Sequence, residues 1–292
     1  MQLGRLGVWT WLDSFSGPHA AAFARRVEAW GYSALWLPEA VGRDPFATLA
    51  FLSAHTERLV LATGIANIYA RDPMTMRANR ETLADLSGGR FVLGLGVSHA
   101  PMVTSLRGHE YGQPLTSMRR YLEAMEKAVY AGPAPKESAP ILLAALRPKM
   151  LELAAERARG AHPYLVPPEH TARARAILGG TAWLCPEQKV LLESDPLRAR
   201  SVARKALQIY LSLPNYQNNL KWLGFTDEDI AGGGSDRLVD ALVAWGDERA
   251  IRARVQEHLD AGADHVCIQP LRPDGEMGPD TAILEALAPG AA

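Results

Sequence analysis

The chain is poor in the residues that usually announce a chemistry. It has two cysteines, Cys185 and Cys267, far apart in sequence. Neither has a Cys or His partner at ligand spacing, so a disulfide scaffold and a thiolate metal centre are excluded and both read as reduced core residues. Its eight histidines form no H-x-H and no H-E-x-x-H, which leaves a hydrolase-type metal site without ligands. G-x-S-x-G is missing too. Only six lysines occur, none read at the end of the sixth strand or its neighbours, which argues against a Schiff-base lyase. Net charge is −1 with the basic residues scattered, so no nucleic-acid footprint appears. No apolar run is long enough to cross a bilayer and no leader precedes the first strand, so a cytoplasmic protein without a membrane partner is expected.

What the chain does have is alternation. Its 292 residues are 48% hydrophobic, enough for one large core. The stretch from Arg58 to His99 sets the pattern: an apolar run at Leu59–Ile68, a helix, then a second run at Phe91–Val97. Asp72 caps that helix, Pro73 supplies its first turn and Gly88-Gly89 stops it. The spacing places Met76, Leu83 and Leu86 on the buried face, with Arg77, Arg80 and Glu81 outward. Two buried strands joined by a helix form a right-handed unit of a parallel sheet.

The same device recurs along the chain. Strands are expected at Leu6–Thr10, Ala34–Leu37, Ile141–Ala144, His162–Val166, Gln188–Leu192 and Val266–Gln269. Asp44-Pro45 and Asp195-Pro196 repeat the cap-plus-proline start. From Pro214 to Gly246 helical segments follow one another with no strand between them, which reads as an insertion. Eight strands alternating with helices point to an α/β fold, a (β/α)8 TIM-like barrel with a helical insertion between strands seven and eight. An open doubly wound sheet is the alternative. With no linker visible, residues 1–292 read as one domain.

In such a barrel, chemistry gathers at the C-terminal ends of the strands. Those ends carry Trp9, Thr10, Trp11, Glu39, Asn67, Tyr69, Ser98, His99, Ala144, Ala145, Leu146, Tyr164, Glu193 and Gln269. The set is aromatic and neutral polar, which suits a flat conjugated ligand better than a metal or a small polyanion. Trp9, Trp11 and Tyr164 read as walls of a substrate pocket. His99 can be a proton donor or a hydrogen-bonded loop residue, and Glu39 a base or a loop cap. Ala145, Leu146, Arg147 and Pro148, with Lys149, open a helix whose free N–H groups and two cations could receive a phosphate; an ordinary capped helix start is the alternative. Gly94-Leu95-Gly96 lacks the third glycine of a dinucleotide fingerprint and lies inside a strand. It therefore marks close approach of another group to the backbone.

Several long segments together resemble one family. LWLPE at Leu35–Glu39, LATGIANIYARDPMTMRANRETLADLSGGR at Leu61–Arg90 and FVLGLGVSH at Phe91–His99 carry most of the likeness. AHPYLVPPEHT at Ala161–Thr171, LSLPNYQNNLKWLGF at Leu211–Phe225 and GADHVCIQP at Gly262–Pro270 continue it. The chain is similar to the bacterial luciferase-like superfamily, in particular its branch dependent on the deazaflavin coenzyme F420. The resemblance implies a TIM-like barrel that is usually a homodimer, and it points to hydride transfer between coenzyme F420 and a small organic substrate, for which His99 is the best candidate to give or take the proton. It implies a nonprolyl cis peptide at Gly64-Ile65, and a cofactor surrounded by Glu39, Ile65, Asn67, Ser98, His99, Ala145, Leu146 and Pro148. Glu39-Ala40 and Ser98-His99 stand where the branch's sugar-phosphate dehydrogenases carry Asp-His and a Glu, which argues against that substrate class. An FMN-dependent monooxygenase and a non-catalytic flavin- or deazaflavin-binding protein are the alternatives. The loop Ala100–Gln113 and the insertion Pro214–Gly234 are expected to shape the substrate pocket.

Overall fold

The structure, a computed structural model, describes residues 1–290. Its parallel strands are β1 (Leu6–Trp9), β2 (Ala34–Leu37), β3 (Val60–Thr63), β4 (Ala66–Asn67), β5 (Phe91–Gly96) and β6 (Ile141–Leu143), followed by β7 (Gly160–Ala161), β8 (Trp183–Leu184), β9 (Glu187–Leu192), β10 (Val243–Gly246) and β11 (Val266–Pro270). β1 pairs with β2 on one side and β11 on the other, so the first and last strands meet. The stretch Trp183–Leu192 then joins the two ends of the curled sheet. Its first half pairs with β7, its second half with β11, and only Cys185-Pro186 lies between them. Pro186 cannot donate to a ladder, but its carbonyl accepts from the Cys267 N–H at 2.9 Å. The result is a TIM-like barrel.

Two-residue alternation divides the strands between two cores. Ala34, Trp36, Val60, Ala62 and Val92 face the barrel interior, where buried Cys185 and Cys267 join them as free thiols. Leu35, Leu37, Leu61 and Leu93 face the surrounding helices. Both faces are covered, which is why the strands read as nearly continuous apolar runs.

The helices begin where the Asp-Pro pairs put them. Asp44 caps α2 (Pro45–Ser53), Asp72 caps α3 (Pro73–Leu86) and Asp195 caps α7 (Pro196–Leu211), each carboxylate accepting backbone N–H groups of the first turn. α1 (Gly17–Ala29) ends at Trp30, with Gly31 following in the left-handed region.

Several expectations need correction. Leu86 is 57% exposed because it sits in the last turn of α3, past the packed face. Glu81 is buried and accepts from the Ser138 hydroxyl, while Arg77 donates to the Glu126 and Ala128 carbonyls and Arg80 to that of Ala139, so this face grips the next unit instead of looking outward. β7 comes earlier than the expected His162–Val166, which is a loop here. The region expected to be purely helical contains β10, hydrogen-bonded along the outer flank of β9. It lies among α8 (Pro214–Leu223), the short α9 (Asp227–Ile230), α10 (Asp236–Leu242) and α11 (Glu248–Asp260). Four residues between two helices give too little period to reveal a strand. The other helices are α4 (Pro114–Lys127), α5 (Pro148–Arg157), α6 (Pro168–Leu178) and α12 (Thr281–Ala286).

Candidate active site

A cavity of about 1270 Å³ opens at the C-terminal ends of the strands. That exceeds the 300–1000 Å³ of an ordinary single-ligand pocket and leaves room for a cofactor and a substrate together. Its floor is the link between β3 and β4. There the Gly64-Ile65 peptide is cis, as the resemblance implies. The Trp9 indole N–H donates to the Gly64 carbonyl at 2.7 Å, so Trp9 is more than a wall: it holds the floor in place.

The glycines of β5 explain themselves here. A Cβ on Gly94 would stand 2.0 Å from the Thr63 carbonyl oxygen, and one on Gly96 would stand 2.4 Å from Ile65 Cδ1. The strand is bare because the bulge of its neighbour occupies the space side chains would need, as its interior glycines suggest. Gly96→Ala therefore pushes the flexible end of Ile65 into the cavity. We expect this variant to fold, with a melting temperature near wild type, and to lose roughly tenfold or more in cofactor affinity, about 1.4 kcal/mol. Titration of both proteins checks it; unchanged affinity would separate Ile65 from the binding floor.

Most of the residues singled out by sequence meet at this cavity. Trp9, Trp11, Glu39, Gly64 and Ile65 line one side; Ser98, His99 and Tyr164 another; Ala145, Leu146, Arg147 and Pro148 the rim. Asn67 does not line it. It is buried behind the bulge, its Oδ1 accepting from the Tyr69 N–H and its Nδ2 without a partner.

Glu39 is already engaged. One carboxylate oxygen accepts from the Asn67 N–H at 2.8 Å, and the other pairs with Arg71, which also bridges to Asp44. These partners tie β2, β4 and α2 together, and a carboxylate held this way is suited to fixing the floor rather than removing protons. His99 is freer. It lies half-buried, its Nδ1 unpaired and its ring 5.5 Å from that of Tyr216. Burial lowers its pKa below the usual histidine value, with the Asn215 side chain offsetting part of the shift, so His99 is neutral at pH 7. Ser98, just before it, holds a left-handed backbone at φ 56, and its carbonyl accepts from the Tyr111 hydroxyl. Few non-glycine residues adopt that conformation, and here it turns His99 towards the cavity mouth.

The rim could hold an anion. α5 begins at Pro148 with Arg147 as its cap residue and no side chain bonded to its first N–H groups, while Arg147 and Lys149 both reach the cavity. Uncapped N–H groups at the positive end of a helix, flanked by two cations, suit a phosphate.

The loop Ala100–Gln113 and the insertion from Pro214 both reach the cavity, as expected, but the individual residues were not singled out and Tyr210 lies before the insertion. Tyr210, Asn215 and Tyr216, from the end of α7 and from α8, line the cavity beside Tyr164, and Met102, Tyr111 and Gln113 come from the loop after His99. His162, in the loop after β7, stacks on Trp36 with ring centroids 4.7 Å apart. Its Nδ1–H donates to the Cys185 carbonyl, leaving Nε2 as an unpartnered acceptor beside the floor. Below Tyr164 lies a fully buried Lys189, 3.3 Å from Glu187 Oε1. There is thus a lysine by the pocket after all, on the strand read as seventh, but it is bound to a carboxylate and does not line the cavity.

A sequence model for luciferase-like monooxygenases matches residues 3–265 of this chain. The chain belongs to that family. Within it, a relative described as a putative coenzyme F420-dependent oxidoreductase of Mycobacterium tuberculosis is 33% identical over 140 residues, 48% of this chain and 39% of its own length. The curated relatives are thus matched over less than half their length. Luciferase-like solved structures cover nearly all of it. The coenzyme F420-dependent tetrahydromethanopterin reductase of Methanopyrus kandleri superposes over 99% of this chain and 98% of its own, with a TM-score of 0.74 and 17% identity. The oxygenating constituent of 3,6-diketocamphane monooxygenase from Pseudomonas putida, solved with FMN, covers 99% and 98% with a TM-score of 0.71 and 15% identity. At those identities the likeness is one of luciferase-like fold.

Proposed function

We propose that the protein is an oxidoreductase that uses coenzyme F420 to transfer a hydride to or from a small organic substrate. The observation that carries the reading is the cavity floor. A flat group laid on the Gly64-Ile65 bulge would find Trp9, Ile65 and the bare Gly96 strand beneath it and the uncapped start of α5 at its edge. The unpaired Nε2 of His162 beside the bulge is a polar acceptor that a ring bearing an N–H group can satisfy. A bound deazaflavin or flavin supplies the two-electron chemistry.

The chain supplies the rest. Arg147, Lys149 and the first turn of α5 hold the phosphate end. Glu39, locked by Arg71 and the Asn67 N–H, keeps the floor rigid. His99, neutral at pH 7 and facing the cavity, exchanges the proton that accompanies the hydride, and the apolar surroundings keep water from competing. A homodimer in the cytoplasm belongs to the same reading.

A second reading, reduced FMN with oxygen, is favoured by the family model itself and by the FMN-bound relative of the same fold. F420 is preferred because a relative matched by sequence is described as dependent on it.

His99→Ala tests the site. Loss of a positioned acid or base typically costs about 10²–10⁴-fold in turnover, and we expect that loss with cofactor affinity nearly unchanged. Because its pKa is lowered, His99 takes up a proton only below the usual histidine range; the acid limb of kcat/KM should therefore lie below about pH 6.5 and vanish in the variant. Retained turnover removes His99 from the mechanism.

A further inference from the structure

The far wall of the cavity has a hydrogen-bond polarity fixed from below. Lys189 is 1% exposed, and its ammonium has three protons to place. Two go to Glu187 Oε1 at 3.3 Å and Gln269 Oε1 at 3.1 Å, and the third faces the Tyr164 ring, whose centroid is 4.0 Å away. Burial pushes the Glu187 pKa up and that of Lys189 down, and each charge offsets the other's shift. The Leu165 N–H on Glu187 Oε2 and the aromatic faces of Tyr164 and Tyr210 favour the charged forms, so the pair is ionic.

An ammonium only donates, so it fixes which end of the Gln269 amide it meets: the oxygen. That oxygen also contacts the Tyr164 hydroxyl at 2.9 Å, and an amide oxygen only accepts, so Tyr164 spends its single proton there. Tyr164 also lies 2.9 Å from the Tyr210 hydroxyl, and with its own proton spent it must accept. Tyr210, which lines the cavity, therefore donates inward and keeps its lone pairs for an outside partner.

We propose that Tyr210 is a specificity-determining acceptor for a hydroxyl-bearing substrate, with Lys189 setting its polarity through Gln269 and Tyr164. A ketone or ester oxygen placed there meets lone pairs; an alcohol donates to them. An ammonium would also donate, but Glu39, the carboxylate lining the cavity, already has its oxygens engaged by Arg71 and the Asn67 N–H. The inference rests on the cavity being a substrate site, as the proposed function requires, and holds whichever cofactor binds.

The test compares two probes with one carbon skeleton, cyclohexanol and cyclohexanone, binding to the purified protein, followed by ligand-observed NMR. Wild type should prefer the alcohol by roughly three- to tenfold, the range of one neutral hydrogen bond. Tyr210→Phe should remove that preference by weakening the alcohol alone. Tyr164→Phe, which keeps the ring over Lys189, frees the Tyr210 proton for the cavity and should turn the preference towards the ketone. A merely structural tyrosine would weaken both probes alike. Equal binding of the two probes by wild type, binding of neither, or parallel losses in both variants overturns the assignment. An alcohol preference found alongside tight FMN binding would leave it standing while the F420 reading failed.

Discussion

Replacing Gly94 by alanine is expected to destabilise the protein by at least about 3 kcal/mol, the upper end for overpacking a core. The methyl group would lie 2.0 Å from the Thr63 carbonyl oxygen, a backbone atom of the neighbouring stave. It cannot rotate away, unlike the end of Ile65 that Gly96 faces. The Thr63 hydroxyl also donates to the Gly94 carbonyl at 2.8 Å, so separating the strands breaks a buried bond as well. For a chain of this size the melting temperature should fall by roughly 6–10 °C or more. Calorimetry of the two glycine variants side by side checks the contrast. A stable Gly94→Ala would mean that β3 and β5 are spaced more widely than described.

The second large effect is on acid stability. Four buried histidines have pKa values far below the usual 6.5: His162, His170 and His265 at about 4 and His258 at about 3, each because burial disfavours the cation. Their partners agree for two of them. His265 donates from Nδ1 to the Gly4 carbonyl and accepts at Nε2 from the Trp36 indole; His258 contacts the Thr171 hydroxyl through Nδ1 and Gln188 Oε1 through Nε2. Both are satisfied as neutral rings, and protonating His265 would expel the Trp36 bond. The unfolded chain binds these protons near pH 6.5 and the folded chain only near pH 3–4. Stability is therefore fully present above pH 6.5 and is lost as pH falls through that window. Each group contributes up to about 1.4 kcal/mol per pH unit, so the four together remove up to about 5.5 kcal/mol per unit, comparable with the whole stability of many domains. Urea midpoints at pH 7, 6 and 5 should fall steeply between the last two. A flat midpoint would show that these rings are solvated or already charged.

What was legible in the sequence was local. Asp-Pro pairs announce helix starts because a capping carboxylate and a preset φ act within four residues. The glycines of β5 announce a close neighbour without saying which one. The rim at Arg147 and Pro148 was readable for the same reason: a helix start is written in the chain.

The far wall was legible only as a segment: the insertion from Pro214 was expected at the pocket, but nothing in its pattern picks out Tyr216. Tyr210 lies before it with no period linking it to a strand end, and only the folding of α7 and α8 over the barrel brings both to Tyr164. Glu187 and Lys189, two apart on a strand, look like a solvated charged face. One signal could have found them: in a sheet covered on both faces, alternate charges of opposite sign have no water to face and must meet each other. Glu39 shows the reverse limit. Its place at a strand end was correct, but Arg71, 32 positions on, had no visible reason to claim it.

The most direct measurement is an equilibrium titration of the purified protein with coenzyme F420 and with FMN under the same conditions. We expect saturable F420 binding, tighter than FMN by roughly tenfold or more, a difference of about 1.4 kcal/mol. Tight binding of FMN with little or none of F420 would contradict it.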